Sequence, residues 1–340
     1  MKKRWRTLLG FGISAFFLYF ALRGLDLREV RYWLTQATYY WLIPAVAIYF
    51  VGVWVRTWRW HYMLRPIKPI ATKRLFPIVC IGYMGNNIFP LRAGEVLRAY
   101  VLKRSEDVSM SSSLATIVVE RVFDGLVMLM FVFFAIPFAP IPANLRPFVV
   151  LPSLFFLALL VVFVLLATKP DLAQQIYRAT VRRLLPANLR LKVDGFIERF
   201  LEGLHFFRSS RDILMVFLIS VVIWLAETMK YWFVMQAFVQ FGAGLPVAFY
   251  VLMLMNGIVN LATTLPSAPG YIGTFDTPGI EVLSAYGVSR SLAAGYTLVL
   301  HAALWFPITI LGAWFFRRER LTWSDVDTAR QQRAQATEPV

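Results

Sequence analysis

Eight apolar stretches, each close to the length that crosses a bilayer as a helix, constrain the fold of this chain more than any other feature of its sequence. A helix rises about 1.5 Å per residue, so a hydrocarbon core of about 30 Å needs roughly 20 residues. Hydrophobic residues make up 59% of the 340 positions and charged residues only 16%, which is too apolar for a water-soluble domain. The sequence therefore predicts an all-α polytopic membrane protein. The eight stretches are 7–22, 39–55, 75–91, 113–138, 148–168, 213–238, 247–266 and 291–316.

Two of these stretches are interrupted by Gly, Pro and polar residues. The first interruption, GYMGNNIFPLRAGEVLR, covers 82–98, and the second, in 256–286, contains LPSAPGYIGTFDTPG. Non-helical backbone at membrane depth survives only where it is buried in protein or lines a wet cavity. We therefore expect two re-entrant helical hairpins and six full crossings, with both termini in the cytoplasm.

The distribution of basic residues supports this topology. Of the 35 Lys and Arg residues, 27 fall in predicted cytoplasmic positions, five outside and three within the membrane. The cytoplasmic set includes six in a predicted loop at 56–74 and three at 98–104. Cytoplasmic loops of membrane proteins carry such an excess. Topology in a cytoplasmic (inner) membrane thus explains the net charge of +16, and no nucleic-acid partner is expected.

We predict one transmembrane domain over 1–321. Within it, 169–212 combines apolar residues at helical intervals with nine basic ones, which is typical of amphipathic helices on the inner leaflet; a solvated linker is the alternative. The polar residues 322–340 are predicted to form a disordered cytoplasmic tail.

The two interrupted stretches also share a few residues at corresponding positions. A shift of 176 positions places Phe89 and Pro90 on Leu265 and Pro266, and Gly94 on Gly270. The identity is sparse enough to arise by chance, but the predicted topology gives the two units opposite orientations. This combination predicts an inverted repeat around a central cavity, as in many transporters.

Nine ionisable residues fall at predicted membrane depth, where each unpaired charge costs about 3 kcal/mol. They must therefore be paired, protonated or hydrated. Arg121 with Asp124 and Glu227 with Lys230 have the spacing of pairs on one helix face. The nine are three cations and six acids: Arg92, Glu95, Glu120, Arg121, Asp124, Glu227, Lys230, Asp276 and Glu281.

The cation Arg92 and the helix starts after the two breaks favour an anionic ligand. The excess of acids among the nine residues argues against one. Arg92 lies in a Pro-Leu-Arg-Ala-Gly-Glu break, and a guanidinium can bind phosphate through two hydrogen bonds. Helices that start after such breaks point their N–H groups toward the cavity, which also favours an anion. The acids are either protonated or serve a coupling ion. Glu227, Lys230 and His301 are candidates for coupling; interhelical pairing, or for His301 a place in the core, is the alternative.

Catalysis by a cofactor has little support in the sequence. There is one Cys and three scattered His, so no metal site is expected. The common motifs of nucleotide-binding and hydrolase sites do not occur. We therefore expect no cofactor, no ATP-driven step and no enzymatic activity.

Three motifs resemble a known family. They are NNIFPLRAGEVLRAYVLKR, VVERVFDG and LPSAPGYIGTFD, and the chain is similar over roughly 8–316 to the flippase-like membrane domain of lysylphosphatidylglycerol synthases, also described as UPF0104. The resemblance implies a multi-pass fold with two re-entrant hairpins around a cavity, and a role in moving or handling lipids. The soluble aminoacyl-transfer domain of the synthases does not follow here, so synthesis of lysylphosphatidylglycerol is not expected.

The resemblance also implies a substrate site, carried over motif by motif. Its residues come from the first hairpin, the helix after it and the second hairpin. They are Asn87, Pro90, Arg92, Gly94, Glu95 and Arg98; Glu120, Arg121 and Asp124; and Pro266, Pro269, Gly270, Gly273 and Asp276.

Three functions remain open from the sequence. The first is a lipid translocase, a flippase or scramblase, for an anionic headgroup such as that of a phospholipid, a hopanoid-type lipid or a polyprenyl-phosphate carrier. The second is a non-transporting membrane partner of a lipid-modifying or glycolipid-pathway enzyme. The third is a polyprenyl-phosphate-dependent glycosyltransferase using Asp26 and Glu29 of an outer loop. The oligomeric state is not indicated.

Overall fold

The computed structural model describes residues 23–89, 92–138, 210–238, 247–264 and 268–322, together with isolated positions between and beyond them. Within these residues the regular structure is helical throughout. Short 3-10 turns occur at Tyr39–Trp41 and Pro269–Tyr271. The helices are α1 (Leu27–Gln36), α2 (Leu42–Leu64), α3 (Thr72–Ile88), α4 (Ala93–Glu106), α5 (Met110–Ala135), α6 (Ser210–Gln236), α7 (Phe249–Ala262), α8 (Asp276–Ala285) and α9 (Arg290–Arg318).

Three described stretches are long and apolar enough to cross a membrane. They are Tyr39–Leu64, Arg211–Gln236 and Arg290–Arg318, with 26, 26 and 29 residues. Helix α5 also has 26 residues, but three charged side chains interrupt its apolar sequence. The helices fit an α-helical polytopic membrane protein. The count of six crossings stays a prediction, and the predicted segments 7–22, 148–168 and most of 169–212 lie outside the described residues.

The first interrupted stretch forms a tight helical hairpin of α3 and α4. Arg92, just before α4, has the left-handed backbone conformation with φ 52°, which reverses the chain direction in a short break. Gly94 allows the two helices to approach, because a Cβ there would lie 2.0 Å from the carbonyl oxygen of Gly82 and 2.4 Å from the amide nitrogen of Asn86. The glycine in this motif therefore has a packing role.

The second interrupted stretch likewise lies between two helices, α7 and α8. Its described part from 268 onward contains three left-handed residues, Gly270, Tyr271 and Gly273, with φ 73°, 60° and 83°. A side chain at φ near +60° is strained by roughly 1 kcal/mol or more. The structure thus has a helix, a break and a helix at both predicted hairpins, while their re-entrant course through the bilayer stays a prediction.

Two apolar cores stabilise the bundle, and α9 belongs to both. Its first half contributes Leu292 and Leu300 to a core with the ends of α5 and α6 and with α7 and α8. Its second half contributes Ile308 and Phe315 to a core with α2, α3 and α4. Between these halves the helix contains Pro307, which has no N–H to donate to the preceding turn. The functional site lies at this level of α9.

The loop predicted at 56–74 begins too early. Helix α2 continues to Leu64, and the side chains of Arg56 and Arg59 are buried with residue exposures of 8% and 0%. The prediction is wrong because a charged residue ends an apolar span only when it has no partner, and carboxylates of α5 and α6 pair with both arginines. Arg98 of the predicted set 98–104 is buried in the same way, so the 27 basic residues predicted as cytoplasmic become 24, still against five predicted outside.

The start of the predicted tail contacts the helical domain. The Asp325 carboxylate accepts a hydrogen bond from the Tyr100 hydroxyl at 3.0 Å and forms an ion pair with Arg104 at 2.8 Å. It also accepts a hydrogen bond from the Thr322 backbone N–H. The rest of the predicted tail lies outside the described residues.

Gly94→Ala tests the close approach of α3 and α4. The added methyl group overlaps backbone atoms of α3, and overpacking of this kind costs about 1–3 kcal/mol. We expect a lower midpoint of thermal unfolding, measured by tryptophan fluorescence in detergent. Gly52→Ala on α2 is the matched control, since its Cβ would meet only the Arg56 Nη1 at 3.7 Å. Equal midpoints for the two variants would contradict the packing role.

Candidate functional site

A cavity of about 160 Å³ lies between the two hairpins, bounded also by α2, α5, α6 and α9. One water needs roughly 10–15 Å³ on a comparable measure, so the space holds many waters or a polar headgroup. Both hairpin breaks reach it, as the sequence predicts for a central cavity. Ten predicted residues line it: Asn87, Arg92, Gly94, Glu95, Arg98, Arg121, Asp124, Glu227, Gly270 and His301.

Seven charged side chains run beside this cavity in alternating order of sign. Adjacent members have nitrogen to oxygen distances between 2.7 and 4.0 Å. Each carboxylate therefore lies between two guanidinium groups. In order, this arginine–carboxylate chain consists of Arg92, Glu95, Arg121, Asp124, Arg59, Glu120 and Arg98.

The inner end of the arginine–carboxylate chain is fully buried and well hydrogen-bonded. Arg59 Nη1 donates to Asp124 Oδ1 and to the Ser220 hydroxyl, both at 2.7 Å. Arg98 donates to both oxygens of Glu120, at 2.7 and 3.1 Å, with its guanidinium 3.6 Å from the ring centre of Trp60. Such forked pairs fix the relative position of the helices that contribute them. This end is the rigid support of the site.

The outer end is exposed to the cavity and less completely bonded. The side chains of Arg92 and Arg121 are 26% and 33% exposed. Arg92 Nη2 donates to the Thr263 carbonyl at 3.0 Å, and its guanidinium lies 5.9 Å from the ring centre of Tyr271. A ligand in the cavity can therefore reach the exposed part of both guanidiniums.

A second charged group also borders the cavity. Glu227 accepts a hydrogen bond from Arg56 Nη1 at 2.5 Å and contacts the Lys230 ammonium. The guanidinium of Arg56 lies over Trp224 at 5.3 Å, and Lys230 lies over Tyr49 at 4.7 Å. One carboxylate here again lies between two cations. The pairing of Glu227 with Lys230 follows the spacing noted in the sequence.

Together the two groups contain six cations and four carboxylates, an excess of two positive charges. The expected excess of acids is therefore wrong. Three cations, Arg56, Arg59 and Arg98, had been assigned to cytoplasmic loops. The acids Asp276 and Glu281 pair elsewhere, with His301 and Arg290. The site is electrostatically suited to an anion.

The imidazole of His301 lies between the second hairpin and α9. Its Nδ1 is 2.8 Å from Asp276 Oδ1, and its Nε2 is 2.7 Å from the carbonyl oxygen of Gly270. The Phe275 ring packs beside it, with centroids 4.6 Å apart. The structure thus brings together two residues that were predicted separately.

The remaining predicted residues lie behind the lining or in the hairpin breaks. Glu120 and Lys230 are buried in their ion pairs. Pro269 begins a 3-10 turn, and the Gly273 N–H donates to Asp276 Oδ2 at 2.8 Å. Pro90 and Pro266 lie outside the described residues.

Sequence reasoning missed several aromatic and amide residues of the lining. Such side chains are common in apolar helices, and only the tertiary structure shows which ones face the cavity. Asn260 had a usable signal, since it lies one turn after Asn256 in an otherwise apolar helix. The missed polar and aromatic residues include Tyr49, Tyr83, Asn86, Trp224, Tyr231, Asn260, Tyr271 and Trp305.

The two acids of the proposed outer loop have local structural partners. Asp26 accepts the backbone N–H of Arg28 at 2.8 Å and caps α1. Glu29 accepts from the Trp33 indole at 3.2 Å and from the Ser289 hydroxyl at 3.4 Å. Among the described residues, no three His, Cys, Asp or Glu side chains cluster as metal ligands.

The fold and the site define a helical membrane protein with a cationic cavity between two broken hairpins. The sequence model of the family described as the lysylphosphatidylglycerol synthase TM region matches residues 7–312, and the chain belongs to this family.

Curated relatives include several UPF0104 membrane proteins. One from Methanocaldococcus jannaschii is 26% identical over 75% of this chain and 77% of its own length. One from Methanothermobacter thermautotrophicus is 25% identical over 84% and 87%. The glycosyltransferase AglD of Haloferax volcanii is 26% identical over 80% of this chain, but over only 47% of its own length. No solved structure gives a significant match.

Arg59→Gln tests the buried end of the arginine–carboxylate chain. Removing this guanidinium leaves the buried Asp124 and Glu120 with one cation fewer, and breaking a buried pair costs about 3–5 kcal/mol. We expect a marked fall in the unfolding midpoint in detergent. Arg74→Gln is the control, because its side chain is 73% exposed and its contact with Glu106 is 3.4 Å; an exposed pair contributes at most about 1 kcal/mol. Comparable losses in both variants would show that the buried chain is not the structural support.

Proposed function

We propose that this protein is a lipid translocase, a flippase or scramblase, that carries an anionic headgroup through the cavity. The single observation behind this proposal is the excess of two cations around a cavity of headgroup size. Charges held at membrane depth cost about 3 kcal/mol each, and a bound anion offsets that cost. A lipid is the natural source of the anion, since its acyl chains can remain in the bilayer while the headgroup occupies the cavity.

Arg92 and Arg121 are the proposed headgroup ligands. They are the two most exposed cations of the arginine–carboxylate chain, and both line the cavity. A guanidinium binds a phosphate oxygen pair through two parallel hydrogen bonds, which a lysine cannot do. Glu95 lies 3.9 Å from Arg92 and 3.6 Å from Arg121, and it orients both without forming a short bond to either.

The proposed topology has six crossings, two re-entrant hairpins and both termini in the cytoplasm. The bias of basic residues and the two helix–break–helix units support it. Opposite orientation of these units would open the cavity alternately to the two leaflets. The sequence contains no ATP-binding motif, so we propose that an ion gradient or the lipid gradient drives the movement.

A second candidate is a non-transporting partner in a glycolipid pathway. Similarity to a protein named as a glycosyltransferase favours it, although the chain matches less than half of that protein. A glycosyltransferase activity of this chain itself has weaker support, because Asp26 and Glu29 are already engaged in helix capping and indole binding. The candidates differ in one measurable respect, which is whether the purified protein moves lipid.

The test is lipid exchange in proteoliposomes, read by a membrane-impermeant quencher. Wild type should expose fluorescent lipids with phosphate monoester or anionic phosphodiester headgroups faster than a zwitterionic lipid of the same chain length. Arg92→Gln and Arg121→Gln should each lower the rate for the anionic lipids about tenfold or more, as expected for the loss of charge-assisted hydrogen bonds.

Arg317→Gln is the matched control, since Arg317 is exposed near the end of α9 and does not line the cavity. It should exchange lipid at the wild-type rate. Equal rates for anionic and zwitterionic lipids would refute the role of the cationic cavity. No exchange of any lipid by wild type would instead favour the non-transporting partner.

A further inference from the structure

The imidazole of His301 lies between two hydrogen-bond acceptors. Nδ1 faces a carboxylate oxygen of Asp276 at 2.8 Å, and Nε2 faces the carbonyl oxygen of Gly270 at 2.7 Å. A neutral imidazole has only one N–H group, so it can donate to one of these oxygens and not to both. The observed geometry therefore needs one more proton than a neutral histidine and an ionised aspartate carry.

That proton belongs to His301 and Asp276 jointly. Either the imidazole is doubly protonated beside a carboxylate, or the carboxyl group donates to Nδ1 while Nε2–H donates to Gly270. In both arrangements the pair is neutral, and both contacts are hydrogen bonds. Asp276 Oδ2 is occupied, since it accepts the Gly273 N–H at 2.8 Å. We call His301 and Asp276 the proton pair.

The surroundings do not supply another charge in contact with the proton pair. Within the described residues, its partners are the Gly270 carbonyl, the Gly273 N–H and the Phe275 ring. The charged side chains of the first hairpin and α5, namely Arg92, Glu95 and Arg121, pair among themselves and with Asp124. At the cavity, the titratable side chain of α3 is Tyr83, and that of the break in the second hairpin is Tyr271.

Loss of the proton weakens the hydrogen bonds by which His301 of α9 holds the second hairpin. The pair becomes a single negative charge, and one nitrogen lone pair then faces an oxygen atom across a contact that was a hydrogen bond. The affected backbone, 268–275, contains Tyr271 in the left-handed conformation, which persists only while its surroundings hold it. The pair thus has two states that differ in how firmly this segment is tied to α9.

The same segment reaches the anion site. The ring of Tyr271 lies 5.9 Å from the guanidinium of Arg92, and the Arg92 Nη2 donates to Thr263 at the end of α7. Gly270 also packs against Trp305 of α9, where an added Cβ would come within 2.8 Å of the indole nitrogen. A shift of this segment would therefore move one wall of the site that holds Arg92.

We propose that the His301–Asp276 pair is the proton-binding site that couples lipid movement to a proton gradient. This inference rests on the proposed lipid translocation. In the step, an ionised Asp276 and a neutral His301 take up one proton from one side, hold the second hairpin against α9, and later release the proton to the other side. Only one N–H or O–H bond of the pair forms on uptake and breaks on release, and no bond between heavier atoms changes.

Asp276→Asn is the decisive variant, because an asparagine reproduces the protonated pair. Its amide can donate to His301 Nδ1 while its oxygen accepts the Gly273 N–H, so the fold is retained but no proton can leave. Proteoliposomes with an internal pH dye should show proton flux dependent on an anionic phosphodiester lipid in wild type. Asp276→Asn and His301→Gln should reduce that flux about tenfold or more, within the range of ordinary coupling.

Glu281→Gln is the matched control, since it removes an acid from the same helix α8 whose ion pair is with Arg290 at 2.7 Å. It should keep the wild-type flux. Lipid movement by wild type without proton flux, or full flux in Asp276→Asn, overturns the inference. Absence of lipid movement in wild type is a failure of the proposed function instead.

Hydrogen exchange of residues 268–275 tests the proton pair without any lipid. Raising the pH removes the proton, so protection in this segment should fall in wild type and in Glu281→Gln beyond the intrinsic pH effect. Asp276→Asn should show no such additional loss. The same pH profile in wild type and Asp276→Asn would refute the proton pair, whatever the lipid assay shows.

Discussion

The pairing of buried arginines with buried carboxylates is the interaction on which the rest of this structure depends. Arg59 has no exposed surface, and it joins α2 to Asp124 on α5 and to Ser220 on α6. Arg98 joins the first hairpin to Glu120 of α5 through both carboxylate oxygens. A single charge could not be kept at this depth, but an alternating series can, because each member compensates its neighbours. The same arginine–carboxylate chain that fixes the helices ends at the cavity, so the residues that stabilise the fold are directly connected to those that line the site.

This arrangement explains why the site combines rigidity with available donors. The inner guanidiniums of Arg59 and Arg98 donate from both Nη atoms to carboxylates, whereas those of Arg92 and Arg121 are partly exposed to the cavity. Preorganised donors of this kind bind an anion without first having to be assembled. The second hairpin completes the cavity with backbone groups and aromatic rings, and its helices α7 and α8 are anchored in an apolar core with α5, α6 and α9.

Much of the architecture follows from the sequence, and the misses have a common cause. The two breaks, the pairs at three-residue spacing and the apolar stretches are local patterns, and the structure has the breaks, the pairs and those stretches that fall within its described residues. The partners of Arg56 and Arg59 are not local: Glu227 and Asp124 are 171 and 65 positions away. From the sequence alone, an arginine at the end of an apolar stretch is predicted to face water, because burying an unpaired charge is costly. Only the tertiary structure reveals the distant partner that makes its burial possible. The predicted excess of acids at the cavity is wrong for the same reason, because the buried arginines that reverse it have distant partners.

The proline in α9 has a consequence for how the two apolar cores relate. Pro307 leaves the carbonyl group of Ala303 without its usual helical donor, and it lies between the residues that α9 gives to one core and those it gives to the other. A helix bends most easily where one of its own hydrogen bonds is missing. Helix α9 therefore offers little resistance to bending between the two cores, and the buried pairs that join α2 and α4 to α5 are the links that keep the two halves at a fixed angle.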